Sequence, residues 1–328
     1  MFLTAMKISL KVSGFLLLVI FLALASFFRR DVPVDELKPL YANAYSRFLT
    51  IDGMPLHYRD EGPRADALPL VLLHGTASSL HTWDGWVDNL RHTRRCIRLD
   101  LPGHGLTGPR ADRDYSVETY ARTLLTLLDS LGVERCVVAG NSLGGAIAWT
   151  AALETPARVA GLILVDPAGA PFAPRHVPMG FQLARSARAR PLLRWFTPRA
   201  IVARSTREVY GNPSKVTEKL IDRHYELLLR TGNRQALSDR FRSASPTLPY
   251  YPRLSEITQP VLLLWGAEDR LIPPESAAVF QKLLPNDTLV LLPGLGHVPM
   301  EEDAGETANL VGNWLFRMRN AEFGIRNN

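Results

Sequence analysis

From residue 48 onward, short apolar runs alternate with longer stretches in which apolar positions recur every three or four residues. The short runs fall at 48–51, 56–60, 70–73, 96–99, 136–139, 162–165, 261–265 and 288–292, and read as strands. Ile51-Asp52-Gly53-Met54 reads as a tight turn joining the first two into a hairpin. Helical spacing is clear at 117–131, where Tyr120, Leu124, Leu127, Leu128 and Leu131 fall on one face, and it recurs at 216–229 and 306–317. Strands alternating with helices predict βαβ units and a mostly parallel sheet, an α/β fold. Between 167 and 260 the strand rhythm stops. That stretch is rich in Arg and Pro but carries its own apolar positions, among them Phe181, Trp195, Ile201 and Leu228, so it reads as an inserted helical cap rather than a linker. The expected layout is a core from residues 48–166 and 261–328, with the cap at 167–260.

The first thirty residues follow a different pattern. Residues 12–28 carry no charge, Lys7 and Lys11 precede them, and Arg29 and Arg30 follow. At about 1.5 Å per residue the run spans roughly 25 Å as a helix, at the short end of what crosses a bilayer. Residues 1–30 are therefore expected to form a transmembrane signal anchor and 31–47 a tether, with the folded part on the non-cytoplasmic side. Ala23-Leu24-Ala25 offers the alternative of a cleaved signal peptide and export.

Charge refines this picture. The chain carries a formal +6, yet between residues 172 and 255 sixteen Lys/Arg face only five Asp/Glu. The basic character belongs to the cap, and the remainder is net negative. A basic cap suggests contact with anionic headgroups, so a membrane is an expected partner through both the N-terminal segment and the cap. Cys96 and Cys136, the only two cysteines, lie in apolar runs, which excludes a disulfide framework and a cysteine metal cluster. The sequence has no zinc spacing, dinucleotide fingerprint or phosphate loop, so no cofactor, no metal and no nucleic-acid partner is expected.

The chemistry concentrates in four places. Gly140-Asn141-Ser142-Leu143-Gly144-Gly145 follows an apolar strand and precedes a helical run, the strand–turn–helix setting of a nucleophile elbow. Ser142 is the candidate nucleophile. The backbone N–H of Leu143 lies at a helix N-terminus, where an oxyanion would form. A serine hydroxyl needs a base, and the base an orienting acid. Asp269, in Trp265-Gly266-Ala267-Glu268-Asp269, and His297, in Gly294-Leu295-Gly296-His297, each follow a strand, where open α/β sheets build their sites. Asp166 also ends a strand and is the alternative acid. His74-Gly75-Thr76 follows the third strand; the N–H of Thr76 is the candidate second oxyanion donor, and His74 is expected to brace the loop. Asp100 and His104 are expected to hold the turn of Asp100-Leu101-Pro102-Gly103-His104-Gly105.

Taken in order, I-D-G-M-P-L-H-Y-R-D-E-G, H-G-T, D-L-P-G-H-G, G-N-S-L-G-G, W-G-A-E-D and G-H-V-P-M-E-E resemble the α/β-hydrolase superfamily across residues 48–317. The resemblance implies an eight-stranded sheet in the order 1-2-4-3-5-6-7-8 with a helical cap, and a serine hydrolase using Ser142, His297 and Asp269 without a cofactor. Cys96 and Cys136 would then be separated by one strand, roughly 10 Å apart and beyond disulfide reach. Haloalkane dehalogenases and epoxide hydrolases of the superfamily have an aspartate where Ser142 stands. The elbow is similar to that of carbon–carbon hydrolases acting on ring-cleavage products, but those carry tryptophan after the histidine, where Val298 stands. The expectation is a carboxylesterase or lipase-like enzyme acting on a small ester or lipid-like substrate. Carbon–carbon hydrolysis or cofactor-free perhydrolysis by the same triad is the alternative, and a non-catalytic binding protein a further one.

Overall fold

The computed structural model describes residues 28–322 apart from 244 and 246. Eight strands form one sheet in the order β1-β2-β4-β3-β5-β6-β7-β8. They are β1 Ser46–Ile51, β2 Met54–Glu61, β3 Leu70–Leu73, β4 Cys96–Leu99, β5 Cys136–Asn141, β6 Val159–Val165, β7 Val261–Gly266 and β8 Asp287–Leu292. Asp52 and Gly53 both adopt positive φ, 50° and 73°, which lets a two-residue turn fold β2 back antiparallel on β1. β2 also runs antiparallel to β4, and every later pairing is parallel. The inner strands β3, β5, β6 and β7 are buried at every position, so both faces are covered and each reads as an unbroken apolar run. Cys96 and Cys136 are buried and free, on β4 and β5 with β3 between them.

Helices cover both faces. α1 (Val34–Tyr41) lies away from the sheet, against Leu106 and Leu227. On one face α2 (Asp84–Leu90) packs with the C-terminal helix, and the pair buries Trp83, Trp86, Val311 and Trp314 against the sheet. On the other face lie α3 (Val117–Ser130) and α4 (Leu143–Glu154), which bury Tyr120, Leu124, Leu128 and Trp149. α3 starts where the Ser116 hydroxyl accepts from the Thr119 N–H, and its apolar stripe faces the sheet. α4 has no polar side from Leu143 to Ala152, because α3 and the sheet enclose it. Charges also enter the sheet, where Arg98 pairs with Glu61 at 2.9 Å and Arg95 with Asp60 at 2.8 Å, all buried.

Among the described residues, five α-helices are inserted between β6 and β7: α5 (Met179–Arg185), α6 (Arg190–Leu193), α7 (Arg199–Glu208), α8 (Glu218–Leu229) and α9 (Asn233–Ser243). Ala203, Tyr210, Val216 and Ile221 give them a small core of their own. α10 (Ala277–Leu283) joins β7 to β8, and α11 (Pro299–Glu302) and α12 (Ala304–Glu322) end the described chain.

The N-terminal expectations need correction. No helix among the described residues is long and apolar enough to cross a membrane. Residues 1–27, which hold nearly all of the expected anchor, lie outside the described residues. Phe28, the end of that run, pairs with Phe196 and stacks on Trp195 at 6.0 Å. The transmembrane anchor and the membrane location built on it are therefore withdrawn, and so is the membrane as a partner. The basic helices are also less bare than their composition suggested. Arg199 pairs with Glu218 and Asp222, Arg207 with Glu218, Arg223 with Glu301 and Arg234 with Asp31. The stretch read as a tether contains α1, whose Leu37 is buried against Leu106 and Leu227.

Candidate active site

Ser142 sits where β5 ends and α4 begins, with φ 52° and ψ −113°. A side chain rarely adopts this backbone, and here tight packing imposes it. A Cβ added at Gly140 would stand 2.1 Å from the Gly144 carbonyl oxygen, and one at Gly144 would stand 2.1 Å from that of Leu73. Both positions therefore need glycine. The Ser142 N–H donates to the Val165 carbonyl at 3.1 Å, and its own carbonyl accepts from Ala168 at 3.0 Å. Leu143 is the first residue of α4, so its N–H belongs to the unpaired first turn of that helix. The loop after β3 brings Thr76 to the same place. A Cβ on the neighbouring Gly75 would lie 3.3 Å from the Ser142 Cβ.

His297 and Asp269 arrive from the loops after β8 and β7. His297 Nδ1 lies 2.6 Å from Asp269 Oδ2. The other carboxylate oxygen accepts from the N–H groups of Leu271, at 2.7 Å, and Ile272, at 3.0 Å. The His297 loop is held from three sides. Its N–H donates to Val209 O at 2.8 Å, and its carbonyl accepts from Asn141 Nδ2 at 2.9 Å. Glu302 accepts from the N–H groups of Gly296, Gly211 and Asn212. Asn141 thus ties the histidine loop to the residue next to Ser142.

Asp166 lies behind this pair, fully buried and at φ 44°. Its Oδ1 accepts from Gly266 at 2.9 Å, and among the described residues its Oδ2 has no hydrogen-bond partner. Burial, and then the nearby Asp269 carboxylate, push its pKa well above the usual carboxylate range. Asp269 accepts three hydrogen bonds, one of them from the histidine, whereas Asp166 accepts one and makes none to His297.

Two cavities meet at Ser142. One, of about 140 Å³, is lined by Ser142, His297 and Thr76 and by apolar groups of the inserted helices, including Phe181, Ile201 and Leu228. The other, of about 320 Å³, is lined by Ser142, Leu143 and Thr76, with Phe172, Leu248 and Arg240.

Residues 69–304 match the family model for the alpha/beta hydrolase fold. The chain belongs to the α/β-hydrolase family. A 2-hydroxy-6-oxononadienedioate/2-hydroxy-6-oxononatrienedioate hydrolase of Burkholderia vietnamiensis is 31% identical over 84% of this chain and 97% of that protein. A hydrolase of the same name from Pseudomonas putida is 29% identical over 80% of this chain and 92% of its own length. Among solved structures, a membrane phospholipase A superposes with a TM-score of 0.72 at 27% identity, covering 97% of this chain and 99% of that one.

This α/β-hydrolase brings Ser142, Thr76 and His297 to one cavity, sets Leu143 beside them in the second, and places Asp269 behind the histidine. His74 braces the loop, with Nδ1 at 2.7 Å from Gly75 O and Nε2 accepting from Leu101 N at 3.0 Å. Asp100 accepts from Leu80 and Leu106 N–H groups and meets His57 Nδ1 at 2.7 Å. His57 was not singled out from the sequence; a lone histidine in a strand gives no sign of a partner 43 residues away. Nor was the Glu302 clamp, although G-H-V-P-M-E-E was noted as a motif. Trp83 and Trp86 lie in the core with ring centroids 4.8 Å apart. Asp166, Asp269 and His297 do bring three ligating atoms within 4.8 Å. The 2.6 Å contact between Asp269 and His297 is a hydrogen bond that engages His297 Nδ1.

Proposed function

We propose that the protein is a serine hydrolase working through an acyl-enzyme. Ser142 is the nucleophile, His297 the general base and then acid, and Asp269 the group that fixes the histidine. The observation carrying this reading is the 2.6 Å Asp269–His297 bond behind a histidine that shares a cavity with a strained elbow serine. With Nδ1 donating to Asp269, Nε2 is free to take the Ser142 proton as the hydroxyl attacks a carbonyl. The N–H groups of Thr76 and Leu143 receive the oxyanion; loss of one such donor costs on the order of 10²–10³ in rate. The intermediate collapses, His297 returns the proton to the leaving group, and water then releases the acid. In the same reading residues 167–260 act as the cap and 48–166 with 261–328 as the catalytic core.

The bond cleaved is the finer question. Relatives named as 2-hydroxy-6-oxo-dienedioate hydrolases support carbon–carbon cleavage over ester cleavage. The attacked carbonyl would then be a ketone, and the leaving carbon must depart as a carbanion delocalised into a conjugated acid and accept the proton from His297. Ester hydrolysis is the second reading. It is favoured by the apolar lining of the smaller cavity, by Val298 after the histidine, and by the likeness to a phospholipase. The test gives the enzyme a 2-hydroxy-6-oxo-dienoic acid, whose absorbance falls on cleavage, beside a p-nitrophenyl ester series. A large kcat/KM on the dienoic acid and little on the esters supports carbon–carbon cleavage. The reverse result moves the assignment to esters.

A further inference from the structure

Arg240, on α9, lines the 320 Å³ cavity that opens at Ser142. No carboxylate hydrogen-bonds or ion-pairs with it among the described residues, and its Nε, shielded from solvent, has no partner. Some other arginines of the inserted helices find acids: Arg223 pairs with Glu301 at 2.7 Å and Arg234 with Asp31 at 2.6 Å. The acid next to Arg240 in sequence, Asp239, turns away and pairs with Arg113 at 2.7 Å. The facing walls include Phe172, Leu248 and Leu271, which solvate nothing. Arg185, over the Phe241 ring, adds a second positive charge at the same cavity. Burial lowers the pKa of Arg240 from its ordinary value, and Tyr120 and the Glu118 carboxylate only partly oppose it. An unpaired guanidinium in an apolar recess is expensive unless an anion completes it.

We propose that this second cavity receives the carboxylate-bearing arm of an acyl substrate, with Arg240 as its counter-ion. The substrate class is thus an acid whose reacting carbonyl sits at Ser142 and whose carboxylate lies along the cavity. The proposal rests on Ser142 being the nucleophile. It holds for an ester and for carbon–carbon cleavage of a diacid, in which one carboxylate stays on the acyl fragment; the carboxylate of a mono-acid dienoate departs with the leaving fragment. A guanidinium presents paired donors to a carboxylate, which an ammonium does not.

The test compares wild type, Arg240→Met and Arg240→Lys on p-nitrophenyl half-esters of glutarate and adipate and on uncharged p-nitrophenyl esters of matched length. Wild type should prefer the half-esters. Arg240→Met should cut the acid-to-neutral ratio of kcat/KM by about tenfold or more, and Arg240→Lys should keep part of it. An unchanged ratio, or an equal fall on both substrates, overturns the proposal. Labelling of Ser142 by a fluorophosphonate provides a readout independent of turnover. Free adipate should slow labelling of wild type and not of Arg240→Met, and no protection in wild type overturns the subsite. If Ser142 is not labelled at all, the nucleophile reading fails by itself. Calorimetry with adipate then decides the subsite: binding to wild type but not to Arg240→Met supports it, and no binding to wild type rejects it.

Discussion

Two buried carboxyl groups compete for the role of triad acid, and one pair of variants separates them. Asp269 accepts two backbone N–H bonds on one oxygen and faces His297 Nδ1 at 2.6 Å with the other. In Asp269→Asn the amide oxygen keeps the backbone bonds, so the NH₂ must point at Nδ1. The imidazole then presents its lone pair there and carries its proton on Nε2, where it cannot accept one from Ser142. The expected loss is about 10⁴-fold in kcat, the scale of a wrong tautomer in a serine triad. That corresponds to roughly 5 kcal/mol at about 1.36 kcal/mol per tenfold. Asp166→Asn should behave differently. Burial and then the nearby Asp269 carboxylate push the Asp166 pKa upward, and its backbone bond, to Gly266, survives in the amide. Its activity should stay within about tenfold of wild type, since no catalytic proton is moved. The assay is kcat under saturating substrate, with circular dichroism to check folding. Near-normal activity in Asp269→Asn, or an equal collapse in Asp166→Asn, would refute the assignment.

Gly144→Ala should destabilise the fold by about 3 kcal/mol or more in urea unfolding, because its Cβ would meet the Leu73 carbonyl at 2.1 Å and both are backbone-fixed. Asn141→Ala removes the bonds to Val165 O, at 3.2 Å, and His297 O, at 2.9 Å. It should cost about 1–3 kcal/mol of stability and, by loosening the histidine loop, about 10- to 100-fold in kcat. Stability should also fall on acidification. Burial lowers the pKa of His81 to about 4 and of His104 to about 3, while the unfolded chain protonates them near about 6.5. The unfolded state therefore binds protons that the native state refuses. As the pH falls from about 6.5 through the folded value, His81 removes up to about 3 kcal/mol and His104 up to about 5 kcal/mol. Asp166, raised in the fold, acts with the opposite sign and reduces the net loss. Urea midpoints that do not change between pH 7 and pH 4.5 would contradict this.

The inner strands were legible because each is buried on both faces. Leu70–Leu73 and Cys96–Leu99 begin and end where the apolar runs do. The edges were harder. β1 begins at Ser46 and β8 at Asp287, where half-exposed positions break the run. α8 begins at Glu218, not 216, because the Thr217 hydroxyl caps it by accepting from Leu220 N–H. The elbow was legible because its glycines are demanded by backbone contacts between neighbouring elements. What the sequence hid is pairing across long separations: His57 with Asp100, Glu302 with the Gly211 turn, and Asp31 with Arg234. The pattern of one residue carries no information about a partner a hundred positions away. For the same reason the basic segment gave the count of arginines but not which of them, Arg240 in particular, would lack an acid.

Catalysis through an acyl-enzyme requires that Ser142 become acylated during turnover. The direct measurement is intact-protein mass spectrometry of enzyme quenched during turnover, with peptide mapping, on wild type and Ser142→Ala. A transient adduct of the acyl mass is expected on the peptide holding Ser142, with neither adduct nor turnover in the variant. Turnover that survives in Ser142→Ala, or an adduct on another residue, would contradict it.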